Sequence, residues 1–318
     1  MADRPTGDTS LPPRAAEFLE LRPLLFAIAY RVLGRVTEAE DVVQDTWLHY
    51  QDVTERPRSP KAYLSTVVTR LSINVLSSAR VRREEYIGEW FPEPLLEDPY
   101  QEPERAAELA DSVSTAALVL MERLSPLERA AFVLREVFGF DYAAIADTLG
   151  RSQSACRQLV VRARRHMARG RARFAADRRA QQELAARFFA AIADGDVDQL
   201  RDLLAADVQL VTDTGGNAPA PPRPIVGVEN TVRVLASVLP ELGRVGLRLE
   251  PQPINGEPGA LARDREGNLV QAITLETGEG RIRTIRSVSN PDKLTHLGPV
   301  ADPWQLARDY RESRRRQR

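Results

Sequence analysis

Residues 124–167, LSPLERAAFVLREVFGFDYAAIADTLGRSQSACRQLVVRARRHM, read as three consecutive helices joined by very short turns. Ser125-Pro126-Leu127-Glu128 has the form of a capping box, in which Ser125 takes the Glu128 amide and the Glu128 carboxylate reaches back. Pro126 falls at the first helical position, where a missing N–H costs nothing. Leu127, Ala131, Leu134 and Phe138 then recur at spacings of four, three and four, one apolar stripe. Gly139 stops that helix, Asp141 caps the next, and Ile145 and Leu149 give it a buried edge. Gly150-Arg151-Ser152 has the length of the turn in a helix-turn-helix unit, with Ser152 as the following cap. In the third helix Cys156, Val160 and Ala163 share one face, while Gln153, Ser154, Arg157, Gln158, Arg162 and Arg165 lie largely on others. An inward apolar seam with outward amides and guanidinium groups suits a major groove, where Arg reads guanine and Gln adenine. The plain alternative is a surface helix whose arginines are solvated. The run Arg162-Ala163-Arg164-Arg165, continued by Arg169, Arg171 and Arg173, favours DNA, because phosphate contacts need local positive charge.

At 318 residues the chain has room for two or three domains, each with a core of its own. The formal net charge of -1 argues against nucleic acid only until its distribution is read. Residues 151–179 are strongly basic and residues 93–111 mostly acidic, so the average misleads. A single cysteine excludes an internal disulfide framework and fits a reducing compartment. Nothing reads as a signal peptide or as an apolar run of membrane-spanning length, and the expected location is cytoplasmic.

Residues 1–14 are polar, contain three prolines and are expected to be disordered. Phe18, Leu21, Leu25, Ile28 and Val32 follow at helical spacing, with Pro23 suggesting that the main helix starts there. Thr37 and Glu40 suggest a capping box for the next helix, EAEDVVQDTWLHY, which pairs Val43 with Trp47 on an apolar face. Asp41 and Asp45 align on another face beside Gln44. No His or third carboxylate stands at ligand spacing, so this face suits a protein partner or solvent better than a metal. A further amphipathic helix buries Leu64, Val68, Leu71 and Val75, turns Arg70, Asn74 and Ser77 outward, and ends in Ala79-Arg80-Val81-Arg82-Arg83.

TEAEDVVQDTWL, then SPKAYLSTVVTRLSINVLSSARVRREEYIGEWFPEPL, then the 124–165 stretch together resemble a bacterial sigma factor of the extracytoplasmic-function type. YIGEWFPEPL and ACRQL are similar to one subgroup, which carries a fused SnoaL-like domain after the promoter-binding domains. The resemblance implies that Asp41, Gln44, Asp45, Trp47 and Leu48 dock on core RNA polymerase, with the beta and beta-prime subunits as partners. It implies that Arg70, Asn74, Arg80, Arg82 and Arg83 read and open the minus-ten element. Gln153, Ser154, Arg157, Gln158, Arg162 and Arg165 would read the minus-thirty-five element. The acidic, Pro-rich joint from Pro92 to Glu108 would thread the polymerase interior. Leu159 and Val161 depart from the polar residues often found there, which suggests tight packing or methyl contacts with thymine.

The remaining chain alternates helical and strand-like runs: helices from Leu184, from Leu200 and over Val228–Leu239, then strand-like segments at 208–211, 245–254, 259–263, 269–276 and 281–288. Turn signals stand at Asn255-Gly256, Glu266-Gly267-Asn268 and Gly278-Glu279-Gly280. Helices followed by a curved antiparallel sheet make an α+β domain, similar to the SnoaL-like, NTF2-like cone, which often encloses a pocket for a small ligand. Such a cone can be an enzyme or a binding module. His296 is its one histidine and falls after the last strand, while Asp207 and Asp213 read as turn residues, so no catalytic residue is assigned and no cofactor or metal is expected. Asn290-Pro291-Asp292-Lys293-Leu294 matches the NPDKL motif of the subgroup. Asp213, Gly215 and Gly216 match a DGGG-type loop, with Thr214 for Gly and Asn217 for the usual basic residue. In the subgroup both motifs face the joint between the promoter-binding domains. The tail from 295, with Trp304, Leu306 and Tyr310 before a basic end, reads either as a short docking helix or as frayed chain.

The expected organisation is a disordered 1–14, a helical domain 15–91, an acidic linker 92–111, a helix-turn-helix domain 112–176, a regulatory α+β domain 181–294 and a tail 295–318. The expected function is that of a sigma factor. Two other classes compete: a helix-turn-helix regulator that works without polymerase, and a SnoaL-like enzyme fused to a DNA-binding module.

Overall fold

The computed structural model of the chain describes residues 12–84, 86–102, 104, 106–171, 178–221 and 223–315, with the side chains of 79–84, 106–108, 110, 169–171, 238–245, 310 and 313–315 left aside. Of the expected disorder of 1–14, residues 1–11 lie outside the described residues, whereas Pro13 and Arg14 are helical, contrary to expectation; Arg173 and the side chains of Arg80, Arg82, Arg83, Arg169 and Arg171 also lie outside them.

Three long helices open the fold: α1 (Pro13–Leu33), α2 (Val36–Gln51) and α3 (Pro60–Glu84). Contrary to expectation, α1 does not begin at Pro23 but runs through it. Proline removes one internal bond there. The helix nevertheless buries Phe18 ahead of Pro23 and every residue from Leu24 to Leu33 behind it. Thr37 and Glu40 do not cap α2 either. The helix starts at Val36, and the Val36 and Thr37 amides donate to the Glu93 carboxylate at 2.8 and 3.1 Å. A distant acid supplies what a local cap would have supplied.

Short helices follow: α4 (Ala106–Val113), α5 (Thr115–Met121) and α6 (Pro126–Phe132), the last continued by a wider π turn over Val133–Val137. The Ser125–Glu128 capping box forms as read, Asp141 caps α7 (Tyr142–Leu149), and the Ser152 hydroxyl accepts from Ala155 N ahead of α8 (Gln153–Arg171). The two helical parts do not keep separate cores. Phe18, Leu25, Val43 and Leu64 belong to the same apolar cluster as Leu118, Leu134, Cys156 and Met167.

The last part holds α9 (Arg178–Asp194), α10 (Val197–Leu203), β1 (Leu204–Asp213), β2 (Ile225–Val226), α11 (Val228–Val245), β3 (Arg248–Ile254), β4 (Glu257–Arg263), β5 (Leu269–Gly278) and β6 (Arg281–Val288). The helix α11 runs through Pro240 to Val245, so β3 starts at Arg248 rather than at Val245. The six strands lie in the order β2-β1-β6-β5-β4-β3. The sheet is mixed, not antiparallel throughout, because β1 pairs parallel to β6. The chain leaves β1, which lies beside the edge strand β2, and returns to it only after the β3–β6 meander, which turns the last strand alongside the first. Leu184, Phe188 and Leu200 from the helices pack on Ala260, Ile273, Leu275 and Ile285 of one sheet face. The opposite face holds Val211, Leu261, Ala272 and Val288 around Phe91 of the joint. After the sheet, Val300 bridges to Leu269 and α12 (Pro303–Arg315) packs on α11, so the described tail is a docked helix.

Candidate promoter and polymerase surfaces and the seam that joins them

On α2, Val42, Val43, Thr46 and Tyr50 are buried, which leaves Asp41, Gln44, Asp45 and Leu48 exposed and Trp47 half-buried. Leu48 is 51% exposed, large for an unpartnered leucine. Trp47 packs on Phe18 of α1, and these two with Leu19, Val43 and Gln44 line a groove of about 390 Å³. Of the five residues predicted for polymerase docking, Gln44 and Trp47 line this groove, while Asp41, Asp45 and Leu48 are exposed on the same helix.

On α8, Cys156, Val160 and Ala163 are fully buried, and Gln153, Ser154, Arg157, Gln158, Arg162 and Arg165 are all exposed. Arg157 stands over the Tyr142 ring at 5.2 Å. Arg162 Nε donates to Glu128 at 2.6 Å. Burial would raise the Glu128 carboxyl, but the bonds from Arg162 and Ser125 hold it below its ordinary value. The capping acid of α6 thereby also holds the Arg162 guanidinium on the exposed face of α8. Leu159 is buried, so its departure from the polar pattern is packing, whereas Val161 is 41% exposed and free to meet a methyl group.

Asn74 of α3 is exposed, but Arg70 does not simply face solvent. Its guanidinium donates to the Thr148 and Asp147 carbonyls, both at 2.7 Å, and Thr66 meets the Thr148 hydroxyl at 3.0 Å. These carbonyls end α7 and carry its partial negative charge, which a guanidinium answers. A residue predicted to read DNA is spent here on fastening the two helical parts together.

The joint is the centre of the fold, not a free tether. Phe91, Glu93 and Leu95 are buried. The Tyr30 hydroxyl donates to Glu93 O at 2.7 Å, and Arg35 pairs with the Glu93 carboxylate at 2.7 Å. Asp213 is not a turn residue: it ends β1 with no exposed surface. It accepts from Tyr86 Oη at 2.5 Å, from Phe91 N at 2.7 Å and from Lys293 Nζ at 2.6 Å. Lys293 Nζ also donates to Phe91 O and sits over the Tyr86 and Trp90 rings. Asn290 Nδ2 donates to Tyr86 Oη at 2.9 Å, and burial with the Asp213 charge pushes the Tyr86 phenol up, keeping it neutral. Gly215 adopts φ 56° with Asn290 and Tyr86 directly against it, leaving no space for a side chain. Asn217, where a basic residue was expected, donates to Asp292 at 3.0 Å. Pro291 and Asp292 form the surface turn of this motif, and Leu294 is fully buried behind it. Asp207 lies exposed within β1, also not in a turn. His296 is spent on the joint, its Nε2 2.7 Å from Pro94 O.

Sequence reasoning missed Asn255. It holds φ 54° in the β3–β4 turn and is buried. Its amide donates to Tyr30 Oη at 2.6 Å and Val113 O at 3.0 Å, and its Oδ1 accepts from Leu95 N at 3.1 Å. The Asn-Gly pair signals a turn, but no pattern signals that the turn reaches into the helical core. Arg31 and Arg129, both fully buried, were missed for the same reason. Arg31 pairs with Asp98 of the joint at 2.6 Å, and Arg129 Nε donates to Arg31 O. Among the described residues no group of three His, Cys, Asp or Glu is placed to hold a metal, and no helix is long and apolar enough to cross a membrane.

Residues 18–82 match the family model described as Sigma-70 region 2, and residues 114–167 match Sigma-70, region 4. The chain is 37% identical over 292 residues to the ECF RNA polymerase sigma factor SigJ of Mycobacterium tuberculosis, covering 88% of this chain and 93% of that protein. It is 30% identical to the probable ECF RNA polymerase sigma factor SigI of the same organism, covering 90% and 96%. The crystal structure of the Mycobacterium tuberculosis SigJ protein superposes with a TM-score of 0.67 at 32% identity, covering 88% of this chain and 98% of that one.

Proposed function

The chain belongs to the extracytoplasmic-function (ECF) sigma factors of RNA polymerase, and from that premise we propose how its parts divide the work. As a sigma factor it directs core RNA polymerase to promoter DNA. In the proposed division, residues 15–91 dock through Asp41, Gln44, Asp45, Trp47 and Leu48 on the beta and beta-prime subunits. The same part reads the minus-ten element through Arg70, Asn74, Arg80, Arg82 and Arg83. Residues 112–176 read the minus-thirty-five element through Gln153, Ser154, Arg157, Gln158, Arg162 and Arg165. Unstacked bases in opened DNA need a cationic track, while the outer helix meets an intact duplex. The protein works in the cytoplasm with polymerase, which supplies all the catalysis.

The fused sheet domain, residues 181–294, regulates this activity by holding the helical parts closed. The observation that carries this reading is the seam: Asp213 and Lys293 grip the joint at Tyr86 and Phe91. In the same closed arrangement Arg70 is fastened to α7 instead of facing DNA. Promoter engagement then requires the seam to loosen, so the sheet domain does in one chain what a separate inhibitor would do in two.

In-vitro transcription by the intact chain and by a chain ending near residue 180 tests this on a shared promoter. Unequal output is expected. Equal output from both removes the regulatory role while leaving the sigma factor assignment intact.

A further inference from the structure

The exposed arginines of α8 are held in two different ways. Arg162 Nε donates to Glu128, and Arg164 donates through Nε and Nη2 to the Glu136 carboxylate at 3.1 and 2.8 Å. Each must give up a carboxylate before its donors meet nucleic acid. Arg157 is held by its face instead. Its guanidinium carbon lies 5.2 Å from the centroid of the Tyr142 ring, and among the described residues its N–H groups have no hydrogen-bond or ion-pair partner. A guanidinium stacked on a ring keeps its donors open along the edge, where a planar, paired contact is made.

The ring beneath it is itself fixed. Tyr142 opens α7, whose first turn is capped by the Asp141 carboxylate accepting from Ala144 N at 2.7 Å. The ring is half-buried and packs on the apolar cluster of the helical parts. Arg135 brings a second guanidinium to 4.7 Å from the same centroid, and its Nη1 donates to Phe140 O at 2.9 Å. An arginine on a bare helix surface samples many rotamers, and a contact that selects one in advance lowers the entropy lost on binding. The place along the helix matters as well. Arg157 is the fifth residue of α8, within the N-terminal stretch through which a recognition helix meets base edges.

We propose that Tyr142 is a positioning residue for base recognition: it presents the edge of the Arg157 guanidinium to one guanine of the minus-thirty-five element. Arg157 makes the paired contacts with guanine O6 and N7, and Tyr142 touches no base. Resting on the assignment of α8 to that element, this role is independent of the seam, because Arg135, Tyr142 and Arg157 all lie in the second helical part.

The test uses the intact chain assembled with core RNA polymerase, on a promoter fragment that this holoenzyme selects from a randomised pool. Each guanine of the minus-thirty-five element is replaced in turn, and relative binding is measured for the native chain and its variants. Tyr142→Leu and Tyr142→Met both keep an apolar contact with the core but lack the ring face, and a thermal melt confirms folding. Each is expected to reduce the preference for the guanine that Arg157→Ala identifies by about two- to fivefold, the worth of an exposed cation–π contact. Preferences at the other positions stay as they are. Tyr142→Phe retains the native preference, and Tyr142→Leu has no further effect in the Arg157→Ala background. A native guanine preference in both ring-less variants, an equal loss at every position, or losses that add in the double variant overturn the proposal. Arg157→Ala without effect at any guanine overturns the assignment of α8 as well, which separates the two failures.

Discussion

Lys293 Nζ lies 2.6 Å from Asp213 Oδ2, with the two side chains only 3% and 0% exposed. This pair joins the end of β1 to the turn after β6, and both partners also hold the main chain of Phe91 in the joint. A charge pair so enclosed contributes only while both members and their hydrogen bonds are present.

Lys293→Met is accordingly expected to destabilise the chain by about 3–5 kcal/mol in urea unfolding, since it leaves a buried carboxylate without its counter-ion. Asp213→Asn added to it should restore part of that loss by removing the uncompensated charge. Small-angle scattering should show the Lys293→Met chain expanded. Additive losses in the double variant would mean that the two groups do not act as a pair.

Asn255 separates a backbone effect from a side-chain effect. Asn255→Gly keeps the left-handed turn but loses the three side-chain bonds to Tyr30, Val113 and Leu95, at about 1 kcal/mol each. Asn255→Ala loses the same bonds and adds about 1–2 kcal/mol of strain at positive φ. Denaturation midpoints should rank native above Gly above Ala, and an Ala variant as stable as Gly refutes the strain component.

Glu93→Ala strips the first amides of α2 and Arg35 of their acceptor at once. A loss of about 3 kcal/mol is expected, the scale of charge-assisted capping bonds. Hydrogen exchange of the Val36 and Thr37 amides should rise more than that of the Leu64 or Val68 amides. Uniform acceleration along the chain would mean that the cap has no local effect.

Glu257 gives the seam a pH dependence. Burial pushes its carboxyl above the ordinary value despite the nearby Arg286 charge and the bond from Thr115. The folded chain then holds a proton that the unfolded chain has released, so stability falls as pH rises from the unfolded value through the folded one. Glu257→Gln keeps an acceptor for Thr115 N and removes the titration. Its melting temperature should exceed that of the native chain at pH 8 and converge on it as pH falls into the ordinary carboxylate range. A constant difference across that window contradicts the assignment.

On α8 the expectations concern binding rather than stability. Arg162→Ala loses only a solvent-exposed pair with Glu128, worth at most about 1 kcal/mol. If Arg162 contacts phosphate, its loss should lower the salt slope of promoter binding by about one unit. Arg157→Ala should reduce promoter-specific transcription while polymerase binding persists. A pull-down in which that variant no longer retains polymerase would show that α8 is misassigned.

Local patterns were legible because local physics carries them. The Ser125–Glu128 box, the Asp141 cap and the buried Cys156–Val160–Ala163 seam all depend on residues within a few positions of each other. The α2 cap was misread for the complementary reason: Thr37 and Glu40 have the right spacing, yet Glu93, remote in the chain, reaches the same amides with a full charge. Pro23 was misread as a boundary because its cost is local and the burial that offsets it is not. Asp213 looked like a turn residue because Asp before Thr-Gly-Gly usually is one, and only the arrival of Lys293 and Tyr86 makes it a buried anchor.

By itself, the sequence determined the three helices of 124–167 with their Ser125, Asp141 and Ser152 caps, the outward arginines of α8, the order of the α2, α3 and helix-turn-helix motifs and the change to an α+β part. Hydrophobic period and capping chemistry are written in neighbouring residues. Only the tertiary structure decided that β1 runs parallel to β6, that the start of the joint, residues 91–95, is buried, that Arg70 is held by α7, and that Asn255 enters the helical core. Those outcomes depend on which remote surfaces meet when polar groups leave water. Each such group then takes whatever partner the assembled fold brings within reach, and no spacing along the chain encodes that choice.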